Sequence, residues 1–253
     1  MSNNFQGPGI LWVTSRIAQS SKVVLDEETF IRWYDEDHIP EIVETSGIND
    51  AFRYIDVKKE SALGSEASRK PFLAFYPMRD LEFTQGDEFK KIRVHSDILP
   101  SPGIIYDLAD IDVAYLLHVG TSGIQGKKEP AQFLLVSAIE PATDASDEDV
   151  NKFYDEQTAA LSKASHYIRS LRFKLVYART NAQSRALKGL ATTDEPNPEP
   201  PTWRAIHEFS AEPSTKTANL VNESQSEILR QAKQTEFGVY KLAKFHGNGK
   251  FFE

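Results

Sequence analysis

The chain has 253 residues, enough to bury a sizeable core as two small domains or one large one. Acidic residues outnumber basic ones 37 to 29, and the net charge of −8 argues against nucleic acid and anionic membranes as partners. With no cysteine, disulfides, thiol nucleophiles and zinc–thiolate sites are excluded.

GILWVTSRI, residues 9–17, is β-branched and apolar, a strand signal. Asp26-Glu27-Glu28 then put acid where a helix start favours it. Phe30, Tyr34, His38 and Ile42 recur at i+4 steps, one face of a helix over 26–46 that Gly47 stops. AFRYIDV (51–57) and KPFLAFYPM (70–78) are the next strands, with a polar loop between them. A second helix fits 81–94, SPG at 101–103 makes a turn, and 104–119 supply a fourth strand with its extension. GTSGIQGKKEPA, residues 120–131, is Gly-rich and aperiodic, as a linker is.

Beyond the linker the order repeats. QFLLVSAIE is a strand, DEDVNKFYDEQTAALSKAS a helix and RSLRFKLVYAR a strand. A loop over 181–201 contains the Pro-rich, acidic DEPNPEPP. TWRAIHEFS is a strand, 215–233 a long helix, and FGVYKLAKF the last strand. Single motifs repeat as well. Tyr34-Asp35-Glu36 returns 120 positions later as Tyr154-Asp155-Glu156, and Arg53 returns 119 later as Arg172. Tyr106-x-Leu108-Ala109 matches Tyr240-x-Leu242-Ala243 at 134. So long a period marks a duplicated domain rather than a solenoid.

Each half thus reads β-α-β-β-α-β, the ferredoxin-like order. Four antiparallel strands with both helices on one side leave a bare sheet face, and the other half's sheet covers it. The expected fold is α+β: two tandem ferredoxin-like units, 1–119 and 132–253, joined by the linker at 120–131 into a pseudo-dimeric α+β barrel within one chain.

His38 falls opposite Thr158, so the first half alone keeps a histidine there. Pro40 has no N–H, and its ring crowds the carbonyl of Glu36; Ile39, before the proline, is biased away from helical geometry. The helix should loosen around His38 and open space beside its imidazole. Asp35, three residues earlier, is placed to accept the second ring N–H and fix the tautomer. With a pKa near ~6.5 such a histidine moves protons at physiological pH. A buried histidine bonded to a backbone carbonyl at a kink has the same spacing. Tyr34 is either core with a satisfied hydroxyl or a donor to a substrate oxygen. Phe30, Trp12 and Tyr76 are candidate walls of an aromatic pocket, although core packing also accounts for them. His95, before the SPG turn, is placed to close over it. His207 lies in the second half near where Tyr76 lies in the first. There is no HExxH, P-loop, GxGxxG or GxSxG, and no His/Asp/Glu cluster with metal-ligand spacing.

FIRWYDEDHIPEIVETSGI resembles the helix-one signature of the EthD-like family, within the dimeric α+β barrel superfamily: an aromatic, then acid, then His, then a small-residue stop before the second strand. The likeness is most specific over 28–55 and extends over both halves through element order. The second half departs from it, lacking the His and the Pro. The superfamily implies cofactor-independent oxygenases, polyketide cyclases, decarboxylases and dehydratases, some haem proteins, and members without established activity. Its members are mostly homodimers of single domains, so a tandem chain would be a built-in dimer.

The expectation is a cofactor-independent lyase, cyclase or isomerase of secondary metabolism, acting on a small apolar or aromatic natural-product intermediate. His38 would be general acid/base, oriented by Asp35, with Tyr34 polarising an oxygen and Phe30, Trp12, Tyr76 and His95 against the substrate. One alternative is a non-catalytic or stress-related protein binding a hydrophobic ligand, or haem with His38 as axial ligand. Another is a cofactorless monooxygenase. The counterpart cavity of the second half should be smaller or filled. MSNNFQGPG lacks the basic and apolar regions of a signal peptide, and no apolar run approaches the ~18 residues of a membrane helix, so a cytoplasmic location is expected.

Overall fold

The structure, a computed structural model, describes residues 5–19, 24–124, 129–222 and 226–249. The first half runs β1 (Gly9–Ile17), α1 (Glu27–Trp33), a π-helical turn (Tyr34–His38), α2 (Ile39–Val43), β2 (Ala51–Asp56) and β3 (Phe72–Met78). A 3-10 turn (Leu81–Gln85), α3 (Asp87–Lys91) and α4 (Ile105–Leu108) lead into β4 (Ala109–Gly123). The second half runs β5 (Phe133–Glu140), α5 (Asp147–Leu161), β6 (Tyr167–Arg179), α6 (Asn181–Leu187) and β7 (Trp203–Phe209). It ends with α7 (Thr215–Asn222), α8 (Glu227–Arg230) and β8 (Gln234–His246).

The eight strands close into one barrel in the order β1-β3-β2-β8-β5-β7-β6-β4. Each half contributes four neighbouring strands in the same order, β4-β1-β3-β2 and β8-β5-β7-β6. The halves join at two antiparallel seams, β2 with β8 and β4 with β6. This is the expected pseudo-dimeric α+β barrel. Period-2 alternation sorts the side chains. Ile10, Trp12, Phe52 and Phe75 of the first half meet Leu134, Val136, Phe173 and Ile206 of the second inside the barrel. Leu11, Val13, Phe72, Ala74 and Tyr76 point outward, under the helices of the first half. The two bare sheet faces therefore cover each other.

Both halves tie their first helix to their second strand with the same ion pair. Arg53 Nε and Nη2 donate to the two Asp35 oxygens at 3.1 and 2.9 Å, and Arg172 Nη2 donates to Asp155 Oδ1 at 2.7 Å. These are the residues that repeat at 119 and 120.

Several expectations need correction. The match at 134 is not structural: Tyr106 lies on α4, whereas Tyr240 lies inside β8. The strand register gives a different equivalence, since Leu11 pairs with Tyr115 and Leu135 with Val239, both partners 124 apart. The helix expected over 81–94 is broken at Gly86, whose extended backbone (φ −77°, ψ 164°) separates the 3-10 turn from α3. The helix expected over 215–233 is the two short pieces α7 and α8. The fourth strand starts later and runs further than expected, because Thr121 and Gly123 still pair with Leu171 and Arg169 across a seam. Residues 120–123 are thus barrel rather than linker, and 125–128 lie outside the described residues. The loop expected over 181–201 opens with α6, which Thr180 and Gln183 start with a reciprocal capping box.

Candidate active site

Asp26 caps α1, accepting from the Thr29 amide at 2.7 Å. After Trp33 the helix widens for one turn. The Ile39 amide donates to the Tyr34 carbonyl, five residues back, and α2 follows with Pro40 in its first turn. Pro40 has no amide to donate, and its ring would collide with a carbonyl four residues back in a regular α-helix. The expected loosening is therefore a π turn, a feature frequent at functional sites. α5 in the second half is regular α-helix. The extra residue in the π turn accounts for the drop from 120 to 119 between the tyrosine and arginine matches.

That residue also changes the partner of His38. Beyond the turn the offset is 119, so the counterpart is Gln157, not Thr158. Gln157 is buried and Thr158 is half-exposed. In the second half Gln157 Oε1 meets His207 Nε2 at 2.9 Å, and Gln157 Nε2 donates to Ser137 Oγ at 3.2 Å. His207 Nδ1 meets Ser170 Oγ at 2.7 Å, and that hydroxyl meets Tyr167 at 2.8 Å. Register makes His207 the counterpart of Tyr76: Leu11 pairs with Tyr76, and Leu135 with His207. Where the second half closes Gln157 on His207, the first half has a cavity.

The cavity is about 80 Å³ and has mainly apolar walls, with Leu11, Val13, Ile42, Ile48, Ile105 and Val113 among them. His38, Trp33, Tyr34, Tyr76 and Tyr106 add aromatic surface. The His38 ring stacks on Trp33, with 4.5 Å between centroids and 14° between planes. Among the described residues no side chain hydrogen-bonds to His38. Burial pushes its pKa down to about 4, opposed by the charge of Asp37 and reinforced by Arg93 and Lys188. At neutral pH it is an uncharged imidazole lining the cavity. The Tyr34 hydroxyl meets Ser15 Oγ at 3.3 Å, and burial raises its pKa to about 12, so it stays protonated. Burial also raises the pKa of Tyr76.

Of the candidate residues, His38, Tyr34 and Tyr76 line this cavity, and the others do not. The Asp35 carboxylate turns away, held by Arg53, with Lys244 and His246 at 3.5 Å, and does not orient His38. The acid that His38 feels is Asp37, itself bonded to Arg93 at 2.7 Å. Trp12 points into the barrel against Phe75, on the opposite face of its strand from Leu11 and Val13. Phe30 is buried beneath the site, edge-on to Tyr34 and Phe72. His95 is exposed, bridges to Ile104 and does not line the cavity.

Sequence reasoning missed three cations in the lining: Arg93, Arg179 and Lys188. The last two belong to the second half and flank α6. Phe89, Tyr106, Arg179 and Lys188 also line an adjoining vestibule of about 470 Å³, walled further by Phe5, Tyr115 and Tyr177. The T-x-x-Q capping box at 180–183 was the available signal for α6. Nothing local says that it docks over the first half.

No protein-family model matches the chain, and no curated protein matches its sequence. Solved structures do match its fold. A provisionally named monooxygenase of Fusobacterium nucleatum subsp. nucleatum superposes with a TM-score of 0.52 at 11% identity, over 97% of each chain. An anthrone oxidase-like protein superposes at 0.50 with 13% identity, over 99% of this chain and 97% of its own. These likenesses show the dimeric α+β barrel fold. No helix among the described residues is long and apolar enough to cross a membrane. No group of three or more His, Asp or Glu among them is arranged to hold a metal ion.

Proposed function

We propose that the chain is a cofactor-independent enzyme of lyase, cyclase or isomerase type, related to the EthD-like proteins. It moves a proton on a small aromatic or apolar carbonyl compound. The observation that carries this reading is His38: an uncharged imidazole without a hydrogen-bonding side chain among the described residues, held against Trp33 at an aromatic-lined cavity. An imidazole of pKa about 4, below the ~6.5 expected from sequence, is unprotonated at neutral pH but a weaker base than one titrating near 7. Once charged, it returns that proton readily, which suits protonation of a carbon or a leaving oxygen. Tyr34 and Tyr76 keep their hydroxyl protons and serve as donors to the substrate oxygen. The cationic lining of Arg93, Arg179 and Lys188 suits a substrate that is, or becomes, negatively charged. Decarboxylation, dehydration and ring closure share these needs. Asp35 has a structural part, locking the helix to β2.

A second reading, a cofactorless monooxygenase, has the same first step, because the carbanion formed at His38 is the species that would meet dioxygen. The names carried by the two structural neighbours favour keeping it. A haem group would need more than the roughly 80 Å³ beside His38 and would have to extend into the adjoining vestibule of about 470 Å³. The test is a panel of aryl ketones, anthrones and hydroxybenzoic acids incubated with and without oxygen, with products followed by mass spectrometry. Product formed without oxygen and lost in His38→Ala supports the lyase-type reading. Oxygen-dependent product supports the second. Full turnover by His38→Ala removes both.

A further inference from the structure

The vestibule and cavity carry positive charge that nothing in their walls answers. Arg93, Arg179, Lys188 and Lys90 line them, and no aspartate or glutamate does. Arg93 is neutralised from outside by Asp37 and Glu41, at 2.7 and 3.2 Å. Arg179 and Lys188 make no ion pair among the described residues. Arg179 Nε donates to Ser184 Oγ at 3.0 Å, Nη1 donates to the Tyr115 hydroxyl, and its guanidinium lies 5.3 Å from the centroid of that ring. These bonds leave donors of its guanidinium fork unused. Lys188 Nζ donates to the carbonyls of Lys90 and Ile92 at 2.6 and 2.8 Å, leaving one of its three N–H bonds over. The two cations feel each other: burial first, and then the Arg179 charge, lowers the pKa of Lys188, opposed by the charge of Glu41 outside the walls. Two neighbouring like charges, partly desolvated, fixed by neutral partners and each with a donor to spare, form a receptor for one anionic group.

We propose that Arg179 and Lys188 are specificity residues that bind the carboxylate of an aromatic acid at the throat between vestibule and cavity, directing its ring toward Trp33 and His38. The walls fit the rest of such a molecule: Phe89 and Tyr106 line both spaces, and Leu11, Val13 and Ile111 line the inner one. A carboxylate is favoured over a neutral oxygen because the partners of both cations among the described residues are neutral, leaving their charge to be met by a ligand. The second half, which lacks the helix-one histidine, thereby supplies the recognition element for the site of the first. This inference rests on the site assigned above, but it concerns binding and is separable from proton transfer.

The test is calorimetric titration of the full chain at neutral pH with benzoate, salicylate and 2-naphthoate, each against its methyl ester. At least one acid should bind about tenfold or more tightly than its ester, as expected for a charge-assisted pair. Added salt should weaken that binding. Arg179→Gln and Lys188→Gln should each cost about tenfold, while Arg179→Lys keeps the charge and recovers part of the loss. Thermal midpoints of all variants show whether each is folded. Thr158→Ala, on the half-exposed face of α5, should bind the acids as the parent does. Binding of an acid by the parent with no turnover of it, with or without oxygen, would sink the acid/base reading and leave this one standing. The proposal is overturned if no acid binds, if esters bind as tightly as acids, or if the folded double variant Arg179→Gln/Lys188→Gln retains the parent affinity.

Discussion

Trp33 lies flat against His38, its indole 4.5 Å from the imidazole and within 14° of parallel. The stack does two things at once. It fills one face of the histidine with apolar surface, so that charging the ring means charging it out of water. It also fixes the plane of the ring beside the cavity. Such an arrangement needs the π turn, which brings Trp33 and His38, five residues apart, to the same side of the helix.

The pH dependence of stability follows. Burial holds His38 at about 4 and His207 at about 3, both below the ~6.5 of an unfolded chain. Below pH ~6.5 the unfolded chain binds protons that the folded one refuses, so stability is full above that pH, falls as pH drops toward the folded values and levels off below them. The slope is about 1.4 kcal/mol per pH unit for each histidine within the window. Urea unfolding between pH 7 and 5 should show a falling midpoint, and His38→Asn should make the fall shallower. An unchanged midpoint over this range means the two rings are not held neutral.

Asp35 is a fastening residue in this structure, so its loss should read as instability. The Arg53 side chain is 5% exposed, and removing its carboxylate partner strands a buried charge. Asp35→Ala should cost about 3–5 kcal/mol by urea unfolding. The fraction still folded should bind aromatic ligands as the parent does. A stable Asp35→Ala protein with abolished turnover would instead restore the orienting part read from spacing alone.

The barrel order was legible in the chain because alternation and turn residues repeat in both halves, and Asp35/Arg53 and Asp155/Arg172 repeat with them. His38 and the loosening at Pro40 were legible because proline has a local steric effect. The exact counterpart of His38 was not. Pro40 signals that the helix loosens but not that the loosening takes in an extra residue, and counting straight through it lands on Thr158. The side of β1 facing the site was misjudged at Trp12, since an apolar strand buried on both faces has no polar side to orient it. Arg179 and Lys188 were invisible because their place is set by α6 docking across a seam between halves.

The second half should behave as packing at its equivalent position. Gln157→Leu leaves His207 without its Nε2 partner and should cost about 1–3 kcal/mol. Thr158→Ala, on a half-exposed position, should change stability by less than about 0.5 kcal/mol. Neither should alter ligand binding in the first half. Denaturation midpoints and calorimetric titration of the two variants check this, and a loss of ligand affinity at unchanged stability in either would make the second half functional.

Central to the account is proton transfer at His38, and solvent exchange reads it without a full reaction. Aryl ketones and anthrones are incubated with the protein in deuterium oxide, and deuterium uptake at their acidic C–H positions is followed by mass spectrometry. The parent and folded Gln157→Leu should catalyse uptake at the same rate above buffer, and His38→Asn should be slower by about 10²–10⁴-fold. Uptake by His38→Asn at the parental rate, or an equal loss in Gln157→Leu, would contradict the assignment of the reaction to the first-half cavity.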